Sequence, residues 1–208
     1  MKILILDSTT RNTGANITNR NLAGAPPPED YLDHSDDLYN IFQKYIGREV
    51  PVEYIFVHIA EDTEYDRAYI SLRNHENFNK ALRWAKKCGD VDIIYGGITF
   101  YNKGHKGTDR KKFIKLAAET ERLVKELKIP VICPAENSQD ERDNFKFIEV
   151  SPSPKSRNIY YISSKKNAWG GTYTMLGMEG TKKQKREEYT SRLSAMFICQ
   201  IINMPIDV

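Results

Sequence analysis

Long hydrophobic runs are missing from this sequence. No apolar stretch approaches the roughly 20 residues that cross a bilayer, so a helical membrane span is excluded. Cysteine is scarce: Cys88, Cys133 and Cys199 are an odd number with no CxxC spacing, which excludes a disulfide framework. Each lies in an apolar stretch where a buried free thiol is expected. No His/Cys/Asp cluster has zinc spacing either, so neither a metal nor another cofactor is expected. An excess of one charge is also lacking, with 31 basic residues against 28 acidic and a net +3. That balance does not point to nucleic acid, although Lys182, Lys183, Lys185 and Arg186 make a local basic cluster. The first residues hold only four apolar side chains before Asp7, too few for a secretory signal. A reduced, cytoplasmic protein is expected.

What is present suits a globular chain. Hydrophobic residues make up 40% and charged ones 28% of 208 residues, which excludes disorder. A chain of this length buries roughly 70% of its extended surface, enough for one core, so residues 1–208 are expected to form a single domain. Short apolar runs alternate with segments of helical period. Strands are predicted at Ile3–Leu6, Val52–Ile59, Val91–Tyr95, Pro130–Cys133, Phe145–Val150 and Asn158–Ser163. Helices are predicted at Ser35–Ile46, Asn74–Cys88, Arg110–Leu127 and Thr190–Asn203. Gly24-Ala25-Pro26-Pro27-Pro28 reads as a stiff loop. The alternation calls for an α/β fold: a mostly parallel sheet with helices on both faces. In such sheets the site lies at the carboxyl ends of the strands.

Those ends carry Asp7-Ser8-Thr9-Thr10, Gly96-Gly97-Ile98-Thr99 and Ala135-Glu136-Asn137-Ser138. His34 is expected at the start of the helix after Asp7, and Ser191 where the last helix begins. A serine hydroxyl becomes nucleophilic when an imidazole takes its proton, and a carboxylate fixes that imidazole's tautomer. Asp7, His34 and Ser191 have the residue types for those three roles. Taken singly, an Asp after a first strand is as readily a turn or capping residue.

In this order, and at these junctions, the residues resemble the subtilisin-like serine proteases. Ile3-Leu4-Ile5-Leu6-Asp7-Ser8 looks like the strand that ends in the subtilase Asp motif, and Asp33-His34-Ser35 stands where that family carries its histidine. Lys80–Ile94 is similar to the family's helix and strand leading to a wall of the substrate cleft, where Gly97-Ile98-Thr99 stands here. Pro130–Asn137 resembles the strand ending in Ala-Gly-Asn, whose Asn completes the oxyanion hole. Thr190-Ser191 with Ser194-Ala195 resembles the serine motif. The resemblance runs from Met1 to about Met204.

It implies a subtilisin-like fold and a serine endopeptidase. His34 would act as base, Ser191 as nucleophile, Asp7 as orienting carboxylate, and Asn137 with the Ser191 amide as oxyanion donors. Gly96, Gly97 and Ile98 would pair with substrate backbone as an edge strand. The sequence departs from the family at Tyr189, Ala195, Thr9 and Ser35-Asp36-Asp37, and the added acids should favour a charged His34. The substrate would be a peptide or protein, and a specialised, regulated intracellular role, with an activating protein partner, is the expectation. Two other readings compete. One is an inactive subtilisin-like protein that binds peptides or partners. The other is a flavodoxin-like flavin or nucleotide module, whose phosphate would sit in the hydroxyl-rich loop from Asp7 to Gly14.

Overall fold

The computed structural model describes residues 1–60, 71–97, 100, 105–134, 159–164, 173–175 and 190–204. Their centre is strand β1 (Lys2–Asp7), in which Ile3, Leu4, Ile5 and Leu6 are all fully buried. Total burial of four successive residues requires cover on both faces and both edges. The edges are β3 (Glu53–His58) and β4 (Ile93–Gly96), and both pair parallel to β1. Outside them lie β2 (Ile17–Asn21), β5 (Val131–Pro134), β6 (Ile159–Ser164) and β7 (Tyr173–Met175). The result is a parallel sheet of seven strands in the order β2-β3-β1-β4-β5-β6-β7. The expected α/β architecture, a parallel sheet with helices on both faces, is present.

Helices α1 (Glu29–Tyr45) and α4 (Thr190–Asn203) cover one face. Leu38 and Phe42 of α1 pack there with Leu193, Ile198 and Cys199 of α4 against Ile3, Ile5 and Phe56. Helices α2 (Leu72–Cys88) and α3 (Gly107–Leu127) cover the other, with Phe78, Leu82, Leu123 and Val124 against Leu4, Leu6 and Val57. The ordinary terminus signals hold locally. Ser71 caps α2 by accepting from the Asn74 amide at 3.3 Å, and Gly89 ends it in the left-handed conformation at φ 70°.

Two departures from the sequence reading have local causes. Helix α1 starts at Glu29, six residues before the expected Ser35, so His34 lies inside the helix and not at its start. Pro28 supplies an extended N-cap residue at φ −60°, and Glu29 and Asp30 complement the positive helix end, so a start that apolar spacing does not reveal is well specified. Strand β2 was not anticipated because Ile-Thr-Asn-Arg-Asn has one apolar residue, as suits an exposed edge strand. Strand β7 was not anticipated either, and the expected strand Phe145–Val150 lies outside the described residues.

The connections carry a topological consequence. The crossovers β2-α1-β3, β3-α2-β4 and β4-α3-β5 all step across the sheet in one direction. Helix α1, however, lies on the face opposite α2 and α3, so its crossover has the opposite hand. Parallel crossovers are right-handed in about 98% of cases, which makes β2-α1-β3 the left-handed exception. That hand places α1 beside α4. The two run parallel and are tied at both ends. Arg192 of α4 pairs with Asp37 of α1 (Nε to Oδ2, 2.8 Å), while Asn203 accepts from the Gly47 amide (3.1 Å) and donates to the Tyr45 carbonyl (2.6 Å).

Between α2 and α3 lies a buried polar cluster. The ring Nε2 of His75 is 2.9 Å from the Thr120 hydroxyl, which donates to Asn79 Oδ1 at 2.6 Å, and the Phe100 ring stacks on the imidazole at 4.4 Å. Burial, helped by the nearby His105, pushes the His75 pKa down to about 3. The unfolded chain would protonate His75 near 6.5, so this residue should cost about 1.4 kcal/mol of stability per pH unit as pH falls below 6.5 towards 3. Urea midpoints measured at pH 7 and pH 5 should therefore differ less for His75→Gln than for the parent.

Candidate active site

The carboxyl ends of β1 and β4, the second turn of α1 and the first turn of α4 meet at one corner of the sheet. Asp7 closes β1 and is 2% exposed. His34 Nδ1 lies 2.9 Å from Asp7 Oδ2, with the imidazole 28% exposed. A carboxylate held against Nδ1 selects the tautomer with its proton there and leaves Nε2 as the free base. The structure thus brings together two of the residues singled out from sequence.

Ser191 is the second residue of α4 and is partly buried. Its carbonyl accepts from the Tyr95 hydroxyl of β4 at 3.4 Å. The next residue, Arg192, grips Asp37, which is one helical turn beyond His34 on α1. The start of α4 is therefore fastened to the same stretch of α1 that carries the imidazole. Asn137 and Ile98 lie outside the described residues, as do Tyr189 and the basic stretch Thr181–Arg186.

Gly96 and Gly97 behave differently from the edge-strand expectation. Gly96 belongs to β4, inside the sheet between β1 and β5, and Gly97 donates its amide to the Leu6 carbonyl at 2.9 Å. Gly96 is no edge residue. The lack of side chains has another reason here: a Cβ on Gly97 would lie 2.1 Å from Asp7 Oδ2, and one on Gly96 would lie 2.8 Å from Cys133 Sγ. The Asp7 carboxylate rests on the bare Gly97 backbone.

The electrostatics centre on His34. Burial pulls its pKa down, but the charge and contact of Asp7, aided by Asp37, outweigh it and raise the value above 6.5; Arg192 pulls it partly back. The two extra acids seen in the sequence act unequally. Asp37 faces His34 and Arg192, whereas Asp36 turns to the loop after β1. It accepts from the Thr10 hydroxyl, the Arg11 amide (2.9 Å), the Arg11 guanidinium (2.8 Å) and Asn12 Nδ2 (3.1 Å). Arg11 also bonds Asp33 (2.8 Å) and Glu29. Burial alone would raise the Asp36 pKa; the Thr10 hydroxyl and the amide and guanidinium of Arg11 hold it below the usual carboxylate range. This clasp bridges the segment after Asp7 and the helix of His34. It also spends the Thr10 hydroxyl and the Arg11 amide on a carboxylate, which sets a negative charge beside the loop where a flavodoxin-like module needs to receive phosphate.

Of the three cysteines expected to be buried, Cys133 and Cys199 are, whereas Cys88, the last residue of α2, is exposed. Cys133, near the end of β5, is no rival nucleophile, because burial pushes its pKa up to about 12. Among the described residues no group of three or more His, Cys, Asp or Glu could hold a metal ion, and no helix is long and apolar enough to cross a membrane.

No family model matches the chain, and no curated protein matches it. A solved crystal structure of a lanthipeptide protease does, with a TM-score of 0.58 and 14% identity, over 97% of this chain and 71% of that one. The chain shares its fold with that protease.

The partners of the site were less visible in the sequence than its members. The sequence reading places Asp36 and Asp37 beside His34, but it has no signal for Arg11 on Asp36, for Arg192 on Asp37 or for His58 behind Asp7. Replacing Gly97 tests the packing directly. Gly97→Ala drives a methyl group into the Asp7 carboxylate, so it should lower the His34 pKa towards 6.5 and cost about 1–3 kcal/mol of stability. An NMR titration of His34 and a urea melt read the two effects.

Proposed function

We propose that the protein is a serine endopeptidase of subtilisin-like type, acting on a peptide or protein through Asp7, His34 and Ser191. The observation that carries the reading is the 2.9 Å contact of His34 Nδ1 with a buried Asp7, beside the start of α4 where Ser191 lies. The protease fold supports it.

In this mechanism His34 Nε2 takes the proton of the Ser191 hydroxyl as its oxygen attacks the scissile carbonyl. The resulting imidazolium is stabilised by Asp7, then returns the proton to the leaving amine. The backbone N–H groups of the first turn of α4 have no partner within the helix. One of them, that of Ser191, faces the developing oxyanion with the helix dipole behind it. Asn137 supplies the second donor in this reading. The same reading assigns Ile98, with the segment beyond Gly97, to the substrate-binding role.

A raised His34 pKa supports a second reading, a protein that keeps the site and binds peptide without cutting it. The charged form of His34, which Asp7 and Asp37 favour, cannot accept the serine proton, so in this reading the acids beside His34 hold cleavage down.

Treatment with a fluorophosphonate probe decides between them. The endopeptidase reading expects a covalent adduct on Ser191, located by mass spectrometry and absent in Ser191→Ala. A folded protein that stays unlabelled at every pH from 6 to 9 overturns it. The labelling rate should follow the neutral fraction of His34, falling on the acid side with a midpoint above 6.5. Asp37→Asn removes a charge that raises this pKa, so its midpoint should move to lower pH; Arg192→Met removes one that lowers it, so its midpoint should move to higher pH. A pH–rate profile of the three proteins reads both signs.

A further inference from the structure

A second histidine stands behind the Asp7–His34 pair, and the mechanism does not use it. His58 ends β3 as the register partner of Asp7 on β1. Phe56 and Ile5, two residues earlier on each strand, face α1, so the alternation along a strand turns His58 and Asp7 to that same face. His58 is fully buried, as is Ser8, whose hydroxyl lies 3.3 Å from His58 Nδ1. The amide of Ile59, next after His58, donates to the Asp7 carbonyl at 3.4 Å. The ring of Tyr31 from α1 meets the imidazole edge-on at 6.3 Å. His58 Nε2 has no hydrogen-bond partner among the described residues.

A buried imidazole with one ring nitrogen unpartnered costs stability, because that nitrogen gives up water without gaining a partner. An apolar residue would fill this place in a plain core without that penalty. We infer that His58 is a positioning residue for the Asp7–His34 pair, acting through Ser8 and the Asp7 main chain. The inference rests on the proposed role of that pair. His58 sets the turn Asp7-Ser8 from behind, while the Gly97 backbone limits the carboxylate from the side. The groups facing it are Asp7 and Ser8 from β1 and its end, and Tyr31 from α1. Burial lowers the His58 pKa against the pull of Asp7, so the ring stays neutral. The charge of Asp7 is then left to His34, the more exposed of its two imidazole neighbours. The pKa values of two like groups are thus moved in opposite directions by their surroundings.

The test is an NMR titration of the His34 ring in the full chain, compared with His58→Phe, His58→Gln and Ser8→Ala. His58→Phe keeps the bulk and removes both nitrogens. It should lower the His34 pKa towards 6.5 and slow fluorophosphonate labelling of Ser191 by about tenfold, part of the roughly 10²–10⁴ a positioned base contributes. His58→Gln keeps a group able to bond Ser8 and should recover most of both. Ser8→Ala should shift the His34 pKa the same way by less, and it stands in for His58→Phe should that variant not fold. A His34 pKa unchanged or raised in these variants overturns the inference, as does an equal effect of Phe and Gln. The titration does not need an active enzyme. A shift in a parent that never labels keeps the positioning role and rejects the protease, whereas labelling without a shift does the reverse.

Discussion

A carboxylate removed almost wholly from water has to be met by a cation or by several donors, since a lone buried charge is costly. Asp7, 2% exposed at the end of the central strand, sets this requirement for the whole corner. His34 answers it from α1 at 2.9 Å. Gly97 answers it by absence, because any side chain there would occupy the space of the carboxylate. His58 and Ser8 close the space behind. The clasp of Thr10, Arg11 and Asn12 on Asp36 then fixes the helix carrying His34 to the segment that follows Asp7. Each of these features has a purpose only if the carboxylate stays where it is.

The same requirement gives meaning to an uncommon crossover. Had β2-α1-β3 taken the usual hand, α1 would have joined α2 and α3 and His34 would lie on the face away from α4. With the left hand, α1 and α4 lie side by side and parallel, joined by Arg192–Asp37 near the site and by Asn203 at the far end. Imidazole and serine are then carried by neighbouring helices on one face, with Asp7 at the strand end between the layers. The ion pair does more than fasten: Asp37 and Arg192 act on the His34 pKa with opposite signs, so the fastening is also an electrostatic setting.

Most elements were legible because their signal is local. Buried strands such as Ile3–Leu6 show as unbroken apolar runs, and the spacing that predicts Thr190–Asn203 agrees with α4. The start of α1 was not, because a proline cap and two acids do not alter apolar periodicity, and β2 was not, because an exposed edge strand has no buried face to pattern. At the site, Asp7 and His34 were legible from their types and chain order. Their supports were not. Arg11 lies 25 residues from Asp36 and Arg192 lies 155 from Asp37, and in sequence such residues are indistinguishable from solvated charges.

The sequence by itself determined the α/β class, the parallel sheet and the residue types gathered at its carboxyl edge, since all three follow from apolar period and from short-range turn and cap chemistry. The tertiary structure alone decided the hand of the α1 crossover, the burial of Asp7 against Gly97 and the opposite surroundings of His34 and His58. Those depend on which distant surfaces meet and how much water they exclude, and neither is written in the spacing of residues along the chain.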